Sequence, residues 1–177
     1  MIIVGFPAIG KSSVCAEQAK IDHSCIDLES SNFAKRTGWV EDYIRVATDL
    51  HTQGFNVFVS SHKEVRDELL RVTNPGSVLL VFPCPELKDE WLRRLQERYQ
   101  RNPSTKNYKA LEYMMNNYDS AVQEMWESRF PHKLVLTAHH NLYNLRASIN
   151  GYVNHCVPGP TFNSNPFQEI VVPERIN

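Results

Sequence analysis

The 177-residue chain reads as one α/β domain, a five-stranded parallel sheet with helices on both faces. Three observations predict this. Short apolar runs alternate with longer helix-compatible stretches through residues 1–153. A glycine-bearing loop from Gly5 to Ser13 links the first run to the first such stretch. The length is that of a single domain, enough to bury about 70% of the surface its unfolded chain exposes.

Residues 2–4, Ile-Ile-Val, are expected as the first strand, and a helix over 12–20 follows the loop at once. Strands are expected next over 25–28, 56–60, 78–82 and 133–137. Helices are expected over 40–53, 63–72, 87–100, 105–128 and 142–153. Gly54 stops one and Pro75-Gly76 follows another, while Asn102-Pro103 breaks the chain between the fourth and fifth helical stretches. Within 105–128, Tyr108, Leu111, Met115, Tyr118 and Val122 recur at threes and fours and predict one core-facing stripe. Residues 154–177 carry Pro158, Gly159, Pro160, Pro166 and Pro173 with little periodicity, and are expected as an extended tail laid over the domain.

A net charge of −1 argues against binding long nucleic acid through overall charge, since such proteins carry a distinctly basic surface. No apolar run approaches the roughly 20 residues a spanning helix requires, so no membrane partner is expected. Cys15, Cys25, Cys84 and Cys156 form no CxxC pair and follow no secretory signal. They read as reduced thiols of a cytoplasmic protein. The seven histidines include no HxxxH pair, so a structural zinc site is not expected.

Gly5-Phe6-Pro7-Ala8-Ile9-Gly10-Lys11-Ser12-Ser13 is a Walker A phosphate loop in its proper context, a strand before it and a helix after it. Its glycines let successive N–H groups turn inward toward phosphate oxygens, and the helix directs its positive end at the same anion. Lys11 is expected on the β- and γ-phosphates of ATP, and the Ser12 hydroxyl on Mg²⁺. Gly5, Pro7, Ala8, Ile9, Gly10 and Ser13 complete the cradle.

Ligands of open parallel sheets gather at the carboxyl ends of the strands. After the second strand stand Asp27 and Glu29, two apart and hence on one face, followed by Ser31. Asp27 is expected as a Mg²⁺-water ligand or a base, because the third strand ends Ser60-Ser61-His62 without a Walker B aspartate. Arg94 and Arg98 lie four apart on one helix face, placed to neutralise a transferring phosphoryl group from a helical lid around 88–107. For the acceptor, Glu29, Ser31, Lys35, Arg36, Arg45, Lys63 and Arg66 are candidates, with Phe33, Trp39 and Tyr43 as a possible stacking wall.

An N-terminal Walker loop, a carboxylate after the second strand and Arg94-Leu95-Gln96-Glu97-Arg98 after the fourth resemble the nucleoside monophosphate kinase-like superfamily of P-loop NTPases. The resemblance covers residues 1–150, and within the superfamily the chain is similar to small phage-encoded (deoxy)nucleotide kinases. It implies phosphate contacts for Arg94 and Arg98, and a base-cradling place for Ala138-His139-His140-Asn141, of which His139 is the candidate contact. Ser61-His62-Lys63 with Arg66-Asp67 is closer to the gluconate kinases, with one residue fewer between the Lys and the Arg-Asp, and the Arg94 to Arg98 spacing resembles the lid of adenylate, shikimate and gluconate kinases. The implied activity is ATP- and Mg²⁺-dependent transfer to a small acceptor, a (deoxy)nucleoside monophosphate first. The alternatives are a hydroxyl acceptor (sugar acid, nucleoside or 5′-hydroxyl nucleic acid end) and a nucleotide-binding module without catalysis. A monomer or homodimer is expected, in the host cytoplasm if the chain is phage-encoded.

Overall fold

The central strands are buried end to end because every residue of β1 (Ile2–Gly5) and β4 (Val78–Pro83) is covered on both faces of the sheet. The computed structural model describes residues 1–21, 24–33, 36–139 and 145–149. Around the central pair stand β2 (Cys25–Asp27), β3 (Asn56–Ser60) and β5 (His132–Leu136), in the order β2-β3-β1-β4-β5, all parallel and open at both edges. The α/β class and the five strands agree with the sequence.

The helices are α1 (Lys11–Gln18), α2 (Trp39–Thr52), α3 (Lys63–Val72), α4 (Lys88–Arg101) and α5 (Thr105–Glu127). From β1 the chain steps outward to β2 and thereafter moves in the opposite sense across the sheet. Right-handed crossovers therefore put α1 on one face and α2 to α5 on the other. Because β1 and β4 are neighbours whose outgoing connections diverge, a crevice opens at their carboxyl ends, where the Gly5 to Ser13 loop lies.

The stripe on α5 is rotated from its expected position. Met114, Tyr118, Val122 and Met125 are buried, whereas Tyr108 and Met115 are 48% and 60% exposed. The spacing 107-111-114-118-122-125 fits the helical period as well, and burial of Asn107 selects it. The Asn107 side-chain amide donates to the Asn102 carbonyl at 2.8 Å, and its backbone N–H meets the Ser104 cap, so the α4–α5 corner is fastened by a polar residue.

The cysteines also need correction. Cys15 in α1 and Cys25 in β2 form a disulfide, with their Cα atoms 5.1 Å apart. The two stand ten positions apart in sequence, and the return of the chain from α1 to β2 brings them together, which spacing in sequence does not reveal. Cys84 is a free thiol. Among the described residues no helix is long and apolar enough to cross a membrane. The expected tail, Lys35, Cys156 and most of the 142–153 helix lie outside the described residues; 145–149 are helical, with Leu145 and Ile149 in the core.

Candidate active site

Gly5 and Gly10 are glycines for different reasons. A Cβ on Gly5 would stand 2.9 Å from Lys11 Cδ and 3.2 Å from Ile9 Cγ2, so the lysine stem folds back over the loop only because Gly5 has no side chain. Gly10 has φ +101°, in the left-handed region, and turns the chain into α1. Ala8 shares that region at φ +62°. Phe6, at the base of the loop, is buried edge-on against Trp91 and Tyr118, and the Trp91 indole N–H donates to the Pro7 carbonyl at 2.7 Å. The loop is thus held from behind by α4, a role for Trp91 that the sequence does not advertise.

Lys11 Nζ reaches back to the Gly5 carbonyl at 3.4 Å. Burial pulls its pKa below the ordinary lysine value, Asp27 and Glu29 oppose that, and Arg98 and Lys106 add to it. Four charged side chains, from β2 and the segment after it, from α4 and from α5, therefore act on this one ammonium.

The Ser12 hydroxyl donates to Asp27 Oδ2 at 2.5 Å. Among the described residues, Asp27 Oδ1 is buried with no hydrogen-bond partner, and so is the hydroxyl of Ser60, which lies across from Gly5 in the sheet register. A buried carboxylate oxygen left unsatisfied is costly, and a hard cation with its water would satisfy it. Ser12 and Asp27 offer the hard oxygens that Mg²⁺ takes, one or two from protein with phosphate oxygens completing the shell. No cluster of three or more His, Cys, Asp or Glu residues is formed among the described residues, and Mg²⁺ shared with phosphates does not need one.

Tyr43, expected as a stacking surface, is instead fully buried between strand ends. Its hydroxyl donates to the Leu28 carbonyl at 2.6 Å and accepts from the Ser60 N–H at 2.9 Å, and burial raises its pKa to about 12. Phe33 and Trp39 pack on it. This tyrosine ties the ends of β2 and β3 together, and so sets where Asp27 and Ser60 stand.

No protein-family model matches the chain, and neither does any curated protein. The chemistry of the site rests on its own atoms.

Among the acceptor candidates, Glu29 and Ser31 reach the loop's neighbourhood. Glu29 accepts from Ser31 at 3.2 Å and from Lys106 at 2.5 Å. Burial works to raise its pKa, but Lys106, Ser31 and Lys11 outweigh that and hold it below the ordinary glutamate value. The cations on α2 and α3 are engaged elsewhere. Arg36 pairs with Asp42, Arg45 with Asp42 and Asp49, and Lys63 with Asp67, all on exposed surface. Arg66 is buried, donating to the Ser61 carbonyl at 2.7 Å, to Met125 Sδ, and to Glu124 at 2.7 Å. It joins α3 to α5, with its side chain 8% exposed. His139 is exposed in the turn after β5, and the residues that follow it lie outside the described set.

Arg94, 12% exposed, donates to Glu90 at 2.8 Å and lies over the Trp91 ring at 5.0 Å, beside the loop that Trp91 holds. Arg98 makes no ion pair among the described residues, and with Arg101, Asn102, Ser104, Lys106 and Asn107 it lines an open groove of about 410 Å³. Lys106 was not among the sequence candidates. The signal available was its position three residues beyond Pro103, where a broken helix turns back toward the loop.

Proposed function

We propose that the chain is an ATP- and Mg²⁺-dependent phosphotransferase acting on a small acceptor, a (deoxy)nucleoside monophosphate. One observation carries the reading: the Ser12–Asp27 hydrogen bond with Asp27 Oδ1 buried and unsatisfied. It puts a carboxylate against the metal-binding hydroxyl of a triphosphate loop. Lys11 and the loop amides would hold the triphosphate, Ser12 and Asp27 the metal, and Arg94 and Arg98 the transferring group. Mg²⁺, when bound there, would supply neutralisation of the charge on the transferring phosphates.

The choice of acceptor follows from the two carboxylates. A hydroxyl acceptor benefits from a base poised near neutrality, whereas a monophosphate attacks through an oxygen already anionic. Asp27 is taken up with Ser12, and Glu29 is held acidic by Lys106. Glu29, held acidic, is a poor base, and in this reading Asp27 serves the metal. A monophosphate acceptor fits them better.

The test measures ADP released from ATP and Mg²⁺ with each common (deoxy)nucleoside monophosphate, nucleoside, gluconate and a 5′-hydroxyl oligonucleotide, with Lys11→Ala as control. Release dependent on a monophosphate and abolished in Lys11→Ala is expected. Release dependent only on a hydroxyl compound would move the reading to that class. No acceptor-dependent release above the control would leave a nucleotide-binding module.

A further inference from the structure

The α4–α5 corner joins two surfaces that are each half of a nucleotide site. On one side is the groove with Arg98, Arg101 and Lys106, three cations matched among the described residues by one carboxylate, Glu29. On the other, sharing Ser104 with it, is an open cleft of about 290 Å³ lined by Tyr99, Pro103 and Tyr108. The two tyrosine rings stand 5.9 Å apart and tilted by 60°, and Tyr108 is 48% exposed, although it belongs to a helix whose opposite face is core. The arginines are poorly spent internally: Arg101 makes one long bond, 3.4 Å, to the Glu97 carbonyl. Clustered cations with little counter-charge favour an anion, and exposed aromatic rings beside them favour a flat ring on the same ligand.

We propose that this corner is the acceptor's binding cleft, taking a mononucleotide with its phosphate among Arg98, Arg101 and Lys106 and its base against Tyr99 and Tyr108. The proposal deepens the phosphotransferase reading and rests on it for the ligand's role as acceptor. It places the acceptor at this corner, not at Arg36, Arg45 and Lys63 beside α2 and α3, which lie in surface ion pairs of their own. It also gives Lys106 a switchable part. The incoming phosphate would exchange for Glu29 on the Lys106 ammonium, and the link between the β2 end and α5 would open as the acceptor seats. Arg98, close enough to Lys11 to act on its charge, would stand between the triphosphate loop and the acceptor phosphate.

Calorimetric titration of the full chain, with a non-hydrolysable ATP analogue and Mg²⁺ present, tests this with the common deoxynucleoside monophosphates and with deoxyribose 5-phosphate, which lacks a base. Tyr108→Ala is expected to weaken mononucleotide binding by about tenfold and leave the sugar phosphate unaffected. Tyr108→Phe should restore it, because stacking needs the ring and not the hydroxyl. Arg101→Ala should weaken both ligands. Mononucleotide affinity unchanged in Tyr108→Ala, or no mononucleotide binding at all, would overturn the proposal. The two readings fail separately. Tyr108-dependent binding without phosphoryl transfer keeps the cleft and removes the kinase, whereas transfer that Tyr108→Ala leaves untouched at subsaturating acceptor keeps the kinase and removes the cleft.

Discussion

Ala8 adopts φ +62°, a left-handed conformation that costs a residue with a Cβ roughly 1–2 kcal/mol. Gly10, at φ +101°, adopts the same region without the cost. Ala8→Gly is therefore expected to raise stability by up to about 1 kcal/mol, the relief being partly offset by the freedom glycine gains in the unfolded chain. Urea unfolding would show a higher midpoint at unchanged slope, and a lowered midpoint would contradict it. The loop between β1 and α1 was legible in the sequence because its glycines and the apolar run before it form a local pattern of fixed spacing. Asp27 was legible because strand ends collect chemistry. Trp91, Ser60 and Lys106 were not, because each acts on a residue 55 or more positions away in the chain. The burial of Arg66 was not legible for the same reason: its partners, Met125 and Glu124, lie on a helix the local pattern cannot place.

Among the elements, α4 connects the site to the rest of the domain, and Glu90 organises it. This carboxylate accepts from Arg93 and Arg94, and those bonds, the Arg93 one foremost, hold its pKa at about 2 against the raising effect of burial. A carboxylate depressed in the folded state stabilises the fold above its ordinary pKa of 4.5 and loses that contribution as pH falls toward 2. The stability difference between the natural chain and Glu90→Gln should hold steady from pH 7 to 5 and shrink from pH 4.5 downward. Urea midpoints across that range would show it, and a difference independent of pH would contradict it. Helix and strand order was readable because apolar runs and helical periods alternate cleanly. The Cys15–Cys25 bridge and the rotation of the α5 stripe were not, because each is decided by packing between elements. A three- and four-residue spacing admits two neighbouring stripes, and the buried Asn107 chose between them.

For the whole molecule, the strand order brings the carboxyl ends of β2, β3 and β1 to one rim, and α4 with α5 supplies the opposite wall. Acidic groups, Asp27 and Glu29, line the first side, and basic groups, Arg98, Arg101 and Lys106, line the second, with Lys11 between them. That polarity suits an anion handed from one bound phosphate to another under a metal's charge. Its keystone is the Ser12–Asp27 pair. ATP affinity measured calorimetrically with and without Mg²⁺, in the natural chain and in Asp27→Asn, tests it most directly. The account predicts that Mg²⁺ strengthens ATP binding in the natural chain and that Asp27→Asn loses roughly 10–100-fold of that metal-dependent affinity. Equal dependence on Mg²⁺ in both proteins would contradict it.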